Sequence, residues 1–143
     1  MDNKDIVFFD LEVNVKTEKI EDYGGVKRNG GSYHSNSGNG FWKFMEGARY
    51  VAGHNILNHD LGYIGHKLKE RCPDCHVIDT LYLSALFFAE RPYHRLVKDY
   101  KLVSKERNNP LTDSELSKEV FEDSLNRFNE LRVLEDYLLW AFT

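Results

Sequence analysis

Four carboxylates, Asp10, Glu12, Asp60 and Asp113, sit where their chemistry bears on function. Asp10 and Glu12 belong to Ile6-Val7-Phe8-Phe9-Asp10-Leu11-Glu12-Val13, an apolar, β-branched and aromatic run that reads as a buried strand. Side chains alternate along a strand, so Phe8, Asp10 and Glu12 share one face while Phe9, Leu11 and Val13 share the other. Two like charges on one side of a core strand are costly to bury, and a hard divalent cation such as Mg²⁺, which prefers carboxylate oxygens, removes that cost. The plainer alternative is that both acids end the strand in water.

Asp60 lies between Ile56 and Ile64 on the apolar stripe Ile56, Leu57, Leu61, Ile64 and Leu68 of a helix predicted to begin at His54-Asn55. A carboxylate on that stripe needs a partner, either inside the protein or as a bound ion, and its neighbours Asn58 and His59 are expected to point elsewhere. Asp113 falls in Thr112-Asp113-Ser114-Glu115, which has capping-box spacing with Thr112 as N-cap. The helix dipole favours a negative charge in that first turn, and Asp113 is also placed to face the core side of the helix start. The cysteine pair in Cys72-Pro73-Asp74-Cys75-His76 matches half of a zinc site, a redox pair or a haem attachment sequence. No second C-x-x-C completes a zinc site, and the pair follows a helix rather than opening one, so reduced thiols in a surface loop are expected.

The elements that must position these groups follow from punctuation and periodicity. Ile20 to Lys27 reads as a second strand, weakened or bulged at Gly24-Gly25, and Arg28-Asn29-Gly30-Gly31 turns it into a third at Ser32 to Ser35. A polar cap within Ser37–Gly40 precedes a short helix carrying Phe41, Trp42, Phe44 and Met45, which Gly47 stops. Strands are predicted at Arg49 to Gly53 and at His76 to Asp79, and helices at Thr80 to Ala89 and Tyr93 to Leu102. The Thr80 helix takes its apolar side from Leu81, Leu83, Leu86, Phe87 and Phe88. Arg95, Lys98, Lys101, Lys105 and Arg107 form a basic concentration that reads as a solvated face or a phosphate contact. A long helix follows from Thr112 through Leu116, Val120, Phe121, Leu125, Phe128 and Leu131, then a last one from Val133 to Phe142. A meander followed by alternating helix and strand predicts an α/β domain with a mixed sheet: three antiparallel strands plus parallel ones, flanked by helices.

The chain of 143 residues is expected to be one domain, 1–143. Its apolar C-terminal run suggests a domain cut from a longer protein. A hydrophobic fraction of 41% and a charged fraction of 29% are ordinary for a globular protein. No apolar run approaches the ~20 residues of a membrane span, and no signal peptide is evident, so a cytoplasmic location is expected. A net charge of −4 argues against a broad electropositive groove for duplex, though not against an enzyme that grips a few nucleotides through bound cations.

The order Asp10-x-Glu12 on a first strand, Asp60 after Gly53-His54-Asn55, and Asp113 at a late helix start resembles the DEDD superfamily of 3′–5′ exonucleases, which have an RNase H-like fold. Phe9-Asp10-Leu11-Glu12 is similar to that family's first motif, Gly53 to Leu61 to its second, and Pro110-Leu111-Thr112-Asp113 to its third. Ile78-Asp79-Thr80-Leu81 is similar to the strand-to-helix junction between the last two. More narrowly, the chain resembles the exonuclease-like domain at the N-terminus of some bacterial DNA helicases of the RecQ class. The resemblance implies a two-metal mechanism in which four carboxylates hold two Mg²⁺ or Mn²⁺ ions about 3.5–4 Å apart. Asp10, Glu12 and Asp113 would gather at the nucleophile-side ion, and Asp60 would act mainly through the second. It further implies single-stranded DNA 3′ ends as substrate, helicase domains as partners, and Leu11, His54 and Asn55 as substrate contacts. One departure stands out. The family places a His five residues, or a Tyr four residues, before its fourth acid, and those positions here are Asn108 and Asn109, neither of which is a base. His94 is the expected substitute; otherwise metal-bound hydroxide suffices, or the domain is a weak or inactive docking module for nucleic acid or a partner. His34 and His66 are expected at the surface, and His54 to order its turn. No G-x-x-x-x-G-K-[ST] P-loop is present, so helicase activity would lie outside these residues.

Overall fold

A computed structural model describes residues 5–94 and 109–142. The chain folds as an α/β domain around one five-stranded mixed sheet. The strands are β1 (Ile6–Val13), β2 (Ile20–Lys27), β3 (Ser32–Ser35), β4 (Tyr50–Gly53) and β5 (His76–Asp79). The helices are α1 (Gly38–Met45), α2 (Leu61–Arg71), α3 (Thr80–Phe87) and α4 (Pro110–Phe142). Strand order is β3-β2-β1-β4-β5, with β1–β2 and β2–β3 antiparallel and β1–β4 and β4–β5 parallel. This is the expected meander plus parallel strands, and it is compatible with an RNase H-like fold. No helix among the described residues is long and apolar enough to cross a membrane.

The alternation in β1 divides the core. Val7, Phe9 and Leu11 pack with Phe41, Trp42 and Met45 of α1 and Ile64 and Leu68 of α2. Ile6 and Phe8 pack on the other face with Val26, Ala52 and Phe121 of α4. Asp10 and Glu12 therefore project on the α4 side of the sheet. α1 is capped as its sequence suggests: Ser37 Oγ accepts from Gly40 N at 3.2 Å, and Gly47 takes φ +80° just after the helix.

Several expectations are corrected. The Thr112 capping box does not form; α4 begins at Pro110, and Asn109 Oδ1 accepts from Leu111 N at 3.0 Å and Thr112 N at 3.4 Å. The two predicted C-terminal helices are one helix of 33 residues. Its face toward the sheet is formed by Pro110, Ser114, Ser117, Phe121 and Ser124, all buried, while Phe128 and Leu131 are exposed. Three of those buried residues are serines that return their hydroxyls to the helix's own carbonyls, which removes the cost of burying them. Gly24 and Gly25 mark no bulge; the register shift falls between Glu12 and Val13. Gly24 is required for another reason. It pairs with Asp10, and a Cβ there would lie 2.1 Å from the Pro110 carbonyl carbon, so only glycine lets the start of α4 rest on the sheet. α3 ends at Phe87, and it buries Thr80 and Ser84 while Leu86 is exposed. α2 begins at Leu61, preceded by a turn rather than by helix from His54. The predicted Tyr93–Leu102 helix beyond His94, the basic residues Arg95, Lys98, Lys101, Lys105 and Arg107, and Asn108 lie outside the described residues.

Candidate metal centre

β1 and the start of α4 meet where β1 runs past the end of β4. Their side chains build the site from separate parts of the sequence. β1 contributes Asp10 and Glu12, and the first turn of α4, seated on Gly24, contributes Asp113. One carboxylate oxygen from each of the three lies within 4.8 Å of the others, and all three residues are half-buried. Three anionic oxygen donors at that spacing suit a hard divalent cation. They are the only such grouping of His, Cys, Asp or Glu among the described residues.

Asp60 is not one of these three mutually close carboxylates. Parallel pairing of β1 with β4 ends at Phe8 and Ala52, so the Leu11 amide extends beyond its neighbour strand. Asp60 Oδ2 accepts from Leu11 N at 3.1 Å, completing that edge. Its Oδ1 meets His59 Nδ1 at 2.7 Å. His59, expected to point elsewhere, is thus the partner that Asp60 required. Asp60 is 1% exposed, and it occupies the N-cap position of α2 without capping that helix. Burial pushes its pKa up, opposed by His59 and by the bond from Leu11. Asn58 turns its Nδ2 to Asn55 Oδ1 at 3.2 Å and to the Tyr82 hydroxyl at 3.0 Å.

The remaining candidates form a supporting layer. Leu11 is buried in the core, so any approach to a ligand there is through its main chain. Asn55 takes φ +61°, a left-handed conformation that Asn tolerates better than most residues. Asp79 secures this turn by accepting from Asn55 N at 2.9 Å and Leu57 N at 3.0 Å while also capping α3 through Leu81 N. Its place at the strand-to-helix junction was legible, but its reach to the Asn55 turn was not, because that partnership spans more than twenty residues of chain.

His54 places Nε2 2.6 Å from the His94 carbonyl and Nδ1 2.9 Å from Thr80 Oγ1. Burial pushes its pKa down, against the opposing pull of the His94 carbonyl, Asp79 and Asp113. A carbonyl only accepts, so the neutral ring carries its proton on Nε2 and takes one from Thr80 at Nδ1. His94, the expected substitute base, has Nδ1 2.8 Å from Ser84 Oγ. Asn109 is committed to capping α4. His34 pairs with Asp22 at 2.7 Å, and His66 is almost fully exposed on α2. Cys72 and Cys75 are free thiols in the loop between α2 and β5, as expected, but half-buried there: both donate to the Ala48 carbonyl, at 3.1 and 3.3 Å. Neither family models nor curated proteins nor solved structures match the chain.

Proposed function

We propose that this chain is a metal-dependent 3′–5′ exonuclease domain that hydrolyses phosphodiester bonds at DNA ends, attached in its parent protein to a DNA helicase. The observation that carries the reading is the convergence of Asp10, Glu12 and Asp113, drawn from opposite ends of the chain, to within 4.8 Å of one another. Three carboxylates held close together repel one another, and phosphoryl transfer is a reaction that uses such a trio to hold cations. Mg²⁺ or Mn²⁺ held there supplies Lewis-acid charge to a phosphate oxygen and acidifies water. The protein's own part is to fix those oxygens on β1 and α4, and to hold the Asn55 turn and the His94 segment beside them through Asp79, His54 and Thr80.

A second reading, a docking module that binds nucleic acid or a partner without cutting, is favoured by one observation. Asn109 stands where the family's pattern puts a tyrosine, and its side chain is spent on the helix cap. The deciding assay uses single-stranded DNA labelled at the 3′ or the 5′ end, with Mn²⁺, Mg²⁺ or EDTA, beside an Asp10→Ala control. Metal-dependent shortening from the 3′ end, absent from the control, is the expected result. A folded protein that binds Mn²⁺ and cuts nothing would establish the docking module instead.

A further inference from the structure

The cysteine pair packs with the core on the α1–α2 face of the sheet, opposite the face that carries Asp10 and Glu12. Both thiols donate to one acceptor, the carbonyl of the buried Ala48, and the Cys75 side chain is also hydrogen-bonded to that of Cys72. Cys75 N donates to the Cys72 carbonyl at 3.1 Å, so the four residues close a β-turn. The ends of such a turn bring their Cα atoms to less than about 7 Å, and disulfides span about 4.4–6.8 Å. The two thiols differ in access. Cys72 lines a cavity of about 190 Å³ together with Trp42, Met45, Gly47, Leu68 and Arg71, and Cys75 is not in its wall.

We propose that Cys72 and Cys75 form a thiol–disulfide exchange site for small organic disulfides, with Cys72 the entering thiol and Cys75 the resolving one. Cys72 gives up its proton and its sulfur attacks one sulfur of the oxidant. A mixed disulfide forms as the oxidant's S–S bond breaks, and the released thiolate takes a proton. Cys75 then loses its proton, its sulfur bonds to that of Cys72, and the second thiolate leaves and is protonated. The cysteine pair is oxidised to a disulfide, and the organic disulfide is reduced to two thiols. Burial holds the proton on Cys75, so closure is the slower step and the mixed disulfide at Cys72 precedes it. The closed form has no S–H to donate, so both tethers to Ala48 are lost together. The next bond along the loop, from His76 N to the Arg49 carbonyl at 2.9 Å, lies beside that released carbonyl.

The test exposes the full chain to 2-hydroxyethyl disulfide and follows it by mass spectrometry after acid quenching. A transient adduct of one hydroxyethylthio group on Cys72 is expected, then a product two hydrogens lighter than the starting protein, which dithiothreitol returns to the dithiol. Cys75→Ser is expected to stop at the adduct, and Cys72→Ser to be modified at least about tenfold more slowly. A wild type that stays a dithiol, keeps the adduct, or forms disulfides only between two chains overturns the site. Equal rates for the two variants overturn the order of the thiols. A further measurement needs no substitution. Hydrogen exchange of the His76 amide should be at least about tenfold faster in the disulfide form than in the dithiol. Unchanged exchange would overturn the release of the loop.

Discussion

Leu11 has an amide that β4 ends too early to reach, and Asp60 accepts from it from within the protein. The two properties of that carboxylate, acceptor and buried charge, can be separated by substitution. Because burial raises the folded pKa of Asp60 above its ordinary 3.8, its contribution to stability is fully present below that value and is lost as pH rises through the folded pKa. Asp60→Asn keeps an acceptor and removes the charge. Its stability relative to wild type should therefore grow as pH is raised from about 4 to about 7, measured by urea unfolding across that range. Asp60→Leu leaves the Leu11 amide without an acceptor and should cost about 1–3 kcal/mol throughout. A constant offset for Asp60→Asn across the range would contradict the buried-charge account.

At the scale of elements, the junction of β2 with α4 decides whether the carboxylates meet. Gly24 lies opposite Asp10, and α4 rests its first turn on the space a side chain would fill. Gly24→Ala should push Asp113 away from Asp10 and Glu12. The expected outcome is a loss of about 1–3 kcal/mol in unfolding free energy together with a Mn²⁺ affinity at least about tenfold weaker. Asn109→Ala, which removes only the cap, should cost about 1 kcal/mol in thermal or urea unfolding. Elsewhere, Cys72 and Cys75 draw the α2–β5 loop onto the turn before β4. Burial, reinforced by the neighbouring Cys72, pushes the Cys75 thiol up to about 12. At about pH 8, iodoacetamide should label Cys75 at least about tenfold more slowly in the folded protein than in urea, as read by mass spectrometry.

Over the whole molecule, a chain of net charge −4 with acids gathered at one end of its sheet repels phosphate until cations intervene. Binding of single-stranded DNA, followed by fluorescence anisotropy, should be weakened at least about tenfold by EDTA and restored by Mn²⁺. Asp10→Asn should restore part of the binding in EDTA by removing one repelling charge. The scaffold behind the site is tied across its length by Arg28 at the β2–β3 turn. Its guanidinium makes paired contacts of 2.7 and 3.0 Å with Glu122 on α4 and lies over the Phe121 ring. That clasp and the Gly24 contact hold α4 against the sheet at two separated points.

What the sequence determined by itself was set by local rules. Alternation in β1 placed Asp10 and Glu12 on one face and Leu11 on the other, and turn signals with helical spacing located β2 to β5 and the helices between them. Hydrophobic periodicity found Phe121 and Leu125 on the buried face of α4 but missed Ser114, Ser117 and Ser124 beside them, whose hydroxyls are satisfied within the helix, and carried the face too far, to Phe128 and Leu131. It also put Asp60 on a helix face without revealing His59, since a turn before α2 brings together two neighbours that a helix would have splayed apart. Whether Asp113 reaches Asp10 was decided only by tertiary structure: it depends on a missing Cβ at Gly24, whose effect is felt by a segment more than eighty residues away. Local sequence specifies which side of an element a group occupies. The distance between groups on different elements is set by how closely their backbones pack.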